Sequence, residues 1–117
     1  MRRTVVKRAT KETNITVSVN LDGRLTAAAR TGLPFLDHML TLFGTHGRFA
    51  LSVRAKGDMD IDVHHTNEDV GLVLGQAFLK ALGDGRGIRR FGWAYVPMEE
   101  ALAGSAPVRP TVGRYRR

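Results

Sequence analysis

The stretch DVHHTNEDVGLVLGQAFLKALGDG, residues 62–85, decides the fold of this 117-residue chain. Val70, Val73, Leu74, Ala77, Phe78, Ala81 and Leu82 recur at i, i+3, i+4, i+7, i+8, i+11 and i+12. That spacing predicts an amphipathic helix with a wide buried stripe. Gly83 supplies its C-terminal cap. The helix is entered through His64, His65, Glu68 and Asp69, so imidazole and carboxylate groups gather where the core stripe begins.

Working back from this helix, Phe49, Leu51, Val53 and Ala55 alternate as a strand. Before them, Phe35, Leu36, Met39, Leu40 and Phe43 form a second helical stripe, opened by Pro34 at a first helical position and expected to end at Gly44 and Gly47. Ile15, Val17, Val19 and Leu21 alternate with polar residues as a half-buried strand, preceded by a strand over Arg3–Thr10. Asp22-Gly23 is a hairpin signal, which predicts that Leu25–Arg30 returns as the partner strand. The order β-β-β-α-β-α predicts an α+β domain, a mostly antiparallel sheet covered on one face by two helices. A core this thin calls for a second half-domain or a partner subunit.

Forward of the helix, GRGIRRFG (85–92) is a basic, glycine-punctuated loop. From Ala103 the sequence AGSAPVRPTVGRYRR has neither period and reads as an unstructured tail.

The net charge of +7 is carried by the ends. Residues 1–11 hold five bases and no acid, residues 103–117 hold four arginines and no acid, and the middle holds nine bases against eleven acids. With no recognisable binding motif, no nucleic-acid partner is expected. There is no cysteine, which excludes disulfides and thiolate metal sites. No run is long enough to span a membrane and the N-terminus lacks an apolar signal region, so a cytoplasmic location is expected.

All four histidines, His38, His46, His64 and His65, lie between positions 38 and 65. His64 and Glu68 at i, i+4 share one helix face and form half of a metal site. Adjacent His65 points about 100° away on a helix, toward a different ion. His38 is its natural partner. Imidazole and carboxylate without thiolate suit Mn, Fe, Zn or Ni. The run Asp58, Asp60, Asp62 lacks the glycine and glutamate of a calcium loop and reads as an acidic strand face. Arg86, Arg89 and Arg90 are able to grip a phosphate, although a solvated basic loop has the same composition.

Together, RATKETNI, LDG, TGLPFLDHML, HGRF, the run from Gly57 to Gly92 and PMEEAL resemble the imidazoleglycerol-phosphate dehydratase family of histidine biosynthesis. The resemblance implies loss of water from imidazoleglycerol phosphate to give imidazoleacetol phosphate, assisted by two Mn²⁺ ions that hold the substrate ring as an imidazolate. It implies that His38 and His65 serve one metal and His64 and Glu68 the other. Glu12 would be an acid/base against the substrate, His46 would line the pocket and Arg90 would bind the phosphate. The metal ligands would face the substrate as well. The resemblance implies a duplicated half-domain fold, with residues 1–92 as the first half and 93–102 as the start of the second, twenty-four copies in a shell and active sites between subunits.

After PMEEAL the family continues into a complete second half, whereas the arginine–proline tail follows here. The expectation is therefore an N-terminal half that is truncated or frameshifted near codon 103. The alternative to an active dehydratase is a catalytically incomplete metal-binding fragment.

Overall fold

The computed structural model describes residues 2–23, 26–57 and 63–105. The acidic run at Asp58, Asp60 and Asp62 and the tail beyond Ser105 lie outside the described residues. Two compact units divide at Gly83, ahead of the basic glycine loop.

The first unit holds strands β1 (Arg3–Ala9), β2 (Thr13–Asn20) and β3 (Ala27–Arg30), helix α1 (Pro34–Gly47), strand β4 (Ala50–Gly57) and helix α2 (His64–Leu82). The four strands form one sheet in the order β1-β2-β4-β3. In-register neighbours share a face, so Val6, Val17, Val53 and Ala29 form one cross-strand row on the helix side. Ile15, Val17, Val19, Leu51 and Val53 are buried there beneath Val70, Val73, Ala77 and Ala81 of α2. Each such aliphatic side chain contributes about 1.5–3 kcal/mol when fully removed from water. Phe43, Phe49 and Phe78 meet with ring centroids 5.2–5.6 Å apart and tie both helices to the start of β4.

The expected hairpin between β2 and β3 does not form. β3 instead pairs in parallel with β4 at the sheet edge, while β4 pairs antiparallel with β2 over Thr13↔Gly57 to Asn20↔Ala50. The sheet is mixed. The physical reason is side-chain bulk: β4 brings Leu51 and Val53 against Val19 and Val17, and the AAAR strand has nothing comparable to offer β2.

Its alanines serve another purpose. A Cβ at Gly44 would lie 2.8 Å from Ala27 Cβ, so α1 seats closely on β3 through a buried glycine. Gly44 therefore sits inside the helix, which ends at Gly47. Arg48 closes it in the left-handed region (φ 63°), its N–H donating to Gly44 O at 3.0 Å. Pro34 opens α1 and Gly83 closes α2 at φ 59°, as the sequence predicts.

The second unit contains a hairpin of β5 (Ala94–Met98) and β6 (Ala101–Ser105), paired from Ala94↔Ser105 to Met98↔Ala101. Glu99 takes the left-handed turn (φ 51°) between them. Ala103, Gly104 and Ser105 are thus strand residues and not the beginning of an unstructured tail. Their small side chains carry no alternation to read; the pairing is directed by Tyr95 and Val96 across from them. Among the described residues no helix is long and apolar enough to cross a membrane.

Candidate metal and active site

The first turns of α2 carry the densest chemistry. His64 Nε2 stands 3.4 Å from Glu68 Oε2, one helical turn away, and both side chains are more than half exposed. Their shared face brings an imidazole nitrogen and a carboxylate oxygen within reach of a common ion. The His65 ring lies 5.9 Å from that of His64 and is tilted 55° to it, so the two adjacent imidazoles lean together at the helix entry.

The opposite side of the same two turns faces inward. Thr66 is fully buried and Asp69 is 7% exposed. Thr13 Oγ1, at the start of β2, donates to Asp69 Oδ2 at 2.5 Å. Gly57, at the end of β4, closes up on the same turn so tightly that a Cβ there would collide with Thr66 Oγ1. The ends of β2 and β4 are thereby fastened to the segment that carries His64, His65 and Glu68.

That fastening reaches Glu12. Thr10 Oγ1 accepts from the N–H groups of Glu12 at 3.2 Å and Thr13 at 3.1 Å, which locks the β1–β2 turn. The Thr10 hydroxyl lies 3.3 Å from both Glu12 Oε2 and Thr13 Oγ1. Thr13 commits its proton to Asp69, so the Thr10 proton goes to one of the other two acceptors. Glu12 itself is exposed, with its carboxylate open at the turn.

Thr13 and Asp69 play no part in the sequence-based site, although a signal for Asp69 exists. Tracking the apolar stripe of α2 back from Val73 arrives at Val70 and Asp69, and a carboxylate beside a core stripe demands a buried partner.

His38 and His46 lie exposed on α1. The turn before His38 is held by Asp37, whose Oδ1 accepts from Thr31 Oγ1 at 2.6 Å and Thr31 N at 2.8 Å. Among the described residues no three histidine, cysteine, aspartate or glutamate side chains converge on a metal position. The donor set fits half of a site: His64 and Glu68 offer one nitrogen and one oxygen to a borderline or hard cation that needs further ligands. Arg90 is half-buried in the second unit, within GRGIRRFG.

The model of the imidazoleglycerol-phosphate dehydratase family matches residues 31–107, which is more than half of the chain. The chain belongs to this family. An imidazoleglycerol-phosphate dehydratase of Aromatoleum aromaticum is 61% identical over 103 residues, covering 88% of this chain and 53% of that protein. One from Geobacter metallireducens is 57% identical over 105 residues, covering 90% and 54%. The crystal structure of imidazoleglycerol-phosphate dehydratase from Staphylococcus aureus superposes with a TM-score of 0.61 at 34% identity, over 88% of this chain and 56% of that one. The chain thus spans about half the length of the curated relatives it matches. The family match includes His38, His46, His64, His65, Glu68 and Arg90 and begins after Glu12. It also runs beyond PMEEAL, taking in β6. In this family the half-domain fold is duplicated, and the α+β unit described here has the form of one such half.

Proposed function

We propose that this chain supplies the metal-bearing half of an imidazoleglycerol-phosphate dehydratase, which removes water from imidazoleglycerol phosphate to give imidazoleacetol phosphate in histidine biosynthesis. The observation that carries this reading is the 61% identity to a dehydratase across the segments that hold the His64–Glu68 pair.

The reaction requires a weakly acidic C–H proton to be taken and a neighbouring hydroxyl to leave with a proton. Glu12 is the group assigned to move that proton at its carboxylate. Its backbone is fixed by Thr10, its Oε2 is within 3.3 Å of a hydroxyl donor, and its turn is strapped to α2 through Thr13 and Asp69. Rigid placement of this kind is what a general base or acid needs, because proton transfer demands contact at hydrogen-bond range.

His64 and Glu68 are assigned to one Mn²⁺ and His65 with His38 to a second, the remaining ligands coming from another half. When bound, the metal supplies the positive charge that stabilises electron density delivered into the imidazole ring. His46 is assigned to the pocket wall and Arg90 to the substrate phosphate, for which a guanidinium is suited. Assembly as a homo-oligomer of the 24-subunit kind and work in the cytoplasm belong to the same reading.

The test is turnover of imidazoleglycerol phosphate by the full chain as Mn²⁺ is titrated. Mn²⁺-dependent product formation supports a dehydratase. Saturable Mn²⁺ binding without product identifies the chain as an incomplete metal-binding half. Replacing His64 or Glu68 is expected to weaken Mn²⁺ by about tenfold or more, since even outer-shell partners of metal ligands are worth that much.

A further inference from the structure

The face of the sheet turned away from the helices has a composition unlike the rest of the first unit. Its positions are the strand residues that alternate with the core: Arg3, Val5 and Lys7 on β1, Asn14 to Asn20 at even numbers on β2, Ala28 and Arg30 on β3, and Ser52, Arg54 and Lys56 on β4. Five are cations and none is acidic. Arg2 and Arg86 each hold an aspartate partner, whereas among the described residues Arg3, Lys7, Arg30, Arg54 and Lys56 have none.

The strand register sets these charges in order. Lys7 pairs with Thr16, Thr16 with Arg54, and Arg54 with Arg30, giving one straight row across all four strands. With strands about 4.8 Å apart, the row is about 14 Å long. Lys56 stands beside it, two residues along β4 and on the same face, opposite Asn14. Asn14, Thr16, Arg30, Arg54 and Lys56 line a shallow depression there. Nearly every polar group it presents is a donor, and two are neighbouring guanidinium forks that match phosphate oxygens bidentately.

We infer that this open sheet face is a binding site for a polyphosphate group, three or more consecutive phosphates. A single phosphate would leave most of the row uncompensated, whereas a linear triphosphate reaches both arginines and Lys56 at once. The face carries no aromatic side chain on which a base could stack, which disfavours single-stranded nucleic acid. The site lies on the opposite side of the sheet from α2, and because Asn14 and Lys56 also line a depression with Glu12, its occupancy is read from binding and not from turnover.

The experiment is calorimetric titration of the full chain, at low ionic strength, with inorganic tripolyphosphate, ATP and orthophosphate. Tripolyphosphate is expected to bind about tenfold or more tighter than orthophosphate, as multiple charge-assisted contacts require. R30Q and R54Q should each weaken it by about tenfold, while K80Q, on the exposed side of α2, should leave it unchanged. Equal affinity for ATP and tripolyphosphate assigns recognition to the phosphates alone; tighter ATP makes a nucleoside triphosphate the source. Circular dichroism melting of R30Q and R54Q at the wild-type temperature shows that the loss is local. The inference is overturned if tripolyphosphate binds no tighter than orthophosphate or if K80Q weakens it as much as R54Q.

Discussion

Thr13 Oγ1 donates to Asp69 Oδ2 at 2.5 Å, joining residues 56 positions apart in the chain and fastening the Glu12 turn to the histidine-bearing end of α2. Both partners are buried. Thr13→Val keeps the shape and leaves the Asp69 carboxylate without this donor, so urea unfolding should report a loss of about 1–3 kcal/mol. Asp69→Asn keeps an acceptor oxygen and should cost less. A Thr13→Val variant as stable as the wild type would mean that the bond contributes little.

Gly44 and the glycines of α2 should respond in opposite directions. A Cβ at Gly44 meets Ala27 Cβ at 2.8 Å, whereas one at Gly71 or Gly75 meets nothing within 4 Å. Gly71→Ala and Gly75→Ala should each stabilise by about 0.5–1 kcal/mol through helix propensity. Gly44→Ala gains the same propensity but overpacks the α1–β3 contact, at a typical cost of about 1–3 kcal/mol, and should destabilise. Thermal melts of the three variants check the contrast.

The pair Arg2–Asp22 gives the N-terminal strand a pH dependence. Hydrogen bonds from the Arg2 side chain, and then from its backbone N–H, hold the Asp22 carboxyl down at about 2. A depressed carboxyl stabilises the fold fully above its ordinary value, near 4, and loses that contribution as pH falls through about 2. Both groups are solvent-exposed, so the effect is small and salt-sensitive. Stability measured from pH 5 to 2 should fall less steeply in Asp22→Asn than in the wild type, with the difference shrinking in high salt.

How far the sequence carries the fold depends on whether the deciding contact is local. The α2 stripe from Val70 to Leu82 is legible because helical period alone sorts core from surface, and α2 begins at His64 as its polar entry suggests. The pairing of β3 is not legible. Asp22-Gly23 is a strong local turn, but β4, a helix away in sequence, offers bulkier cross-strand partners. Gly44 reads as a helix stop because a glycine's local cost is visible, whereas its fit against Ala27 is tertiary. The site divides in the same way. His64 and Glu68 are legible from i, i+4 spacing, and their 3.4 Å approach follows. Asp69's partner lies on a distant strand, and no spacing rule points to Thr13.

The most direct measurement compares turnover of imidazoleglycerol phosphate by the Mn²⁺-loaded wild-type chain with that of Glu12→Gln, with Mn²⁺ affinity measured in parallel. General acid–base catalysis contributes about 10²–10⁴-fold, so Glu12→Gln should lose at least about a hundredfold in kcat while binding Mn²⁺ as the wild type does. A Glu12→Gln variant that keeps full turnover, or one that loses Mn²⁺ affinity in step with turnover, would contradict the account.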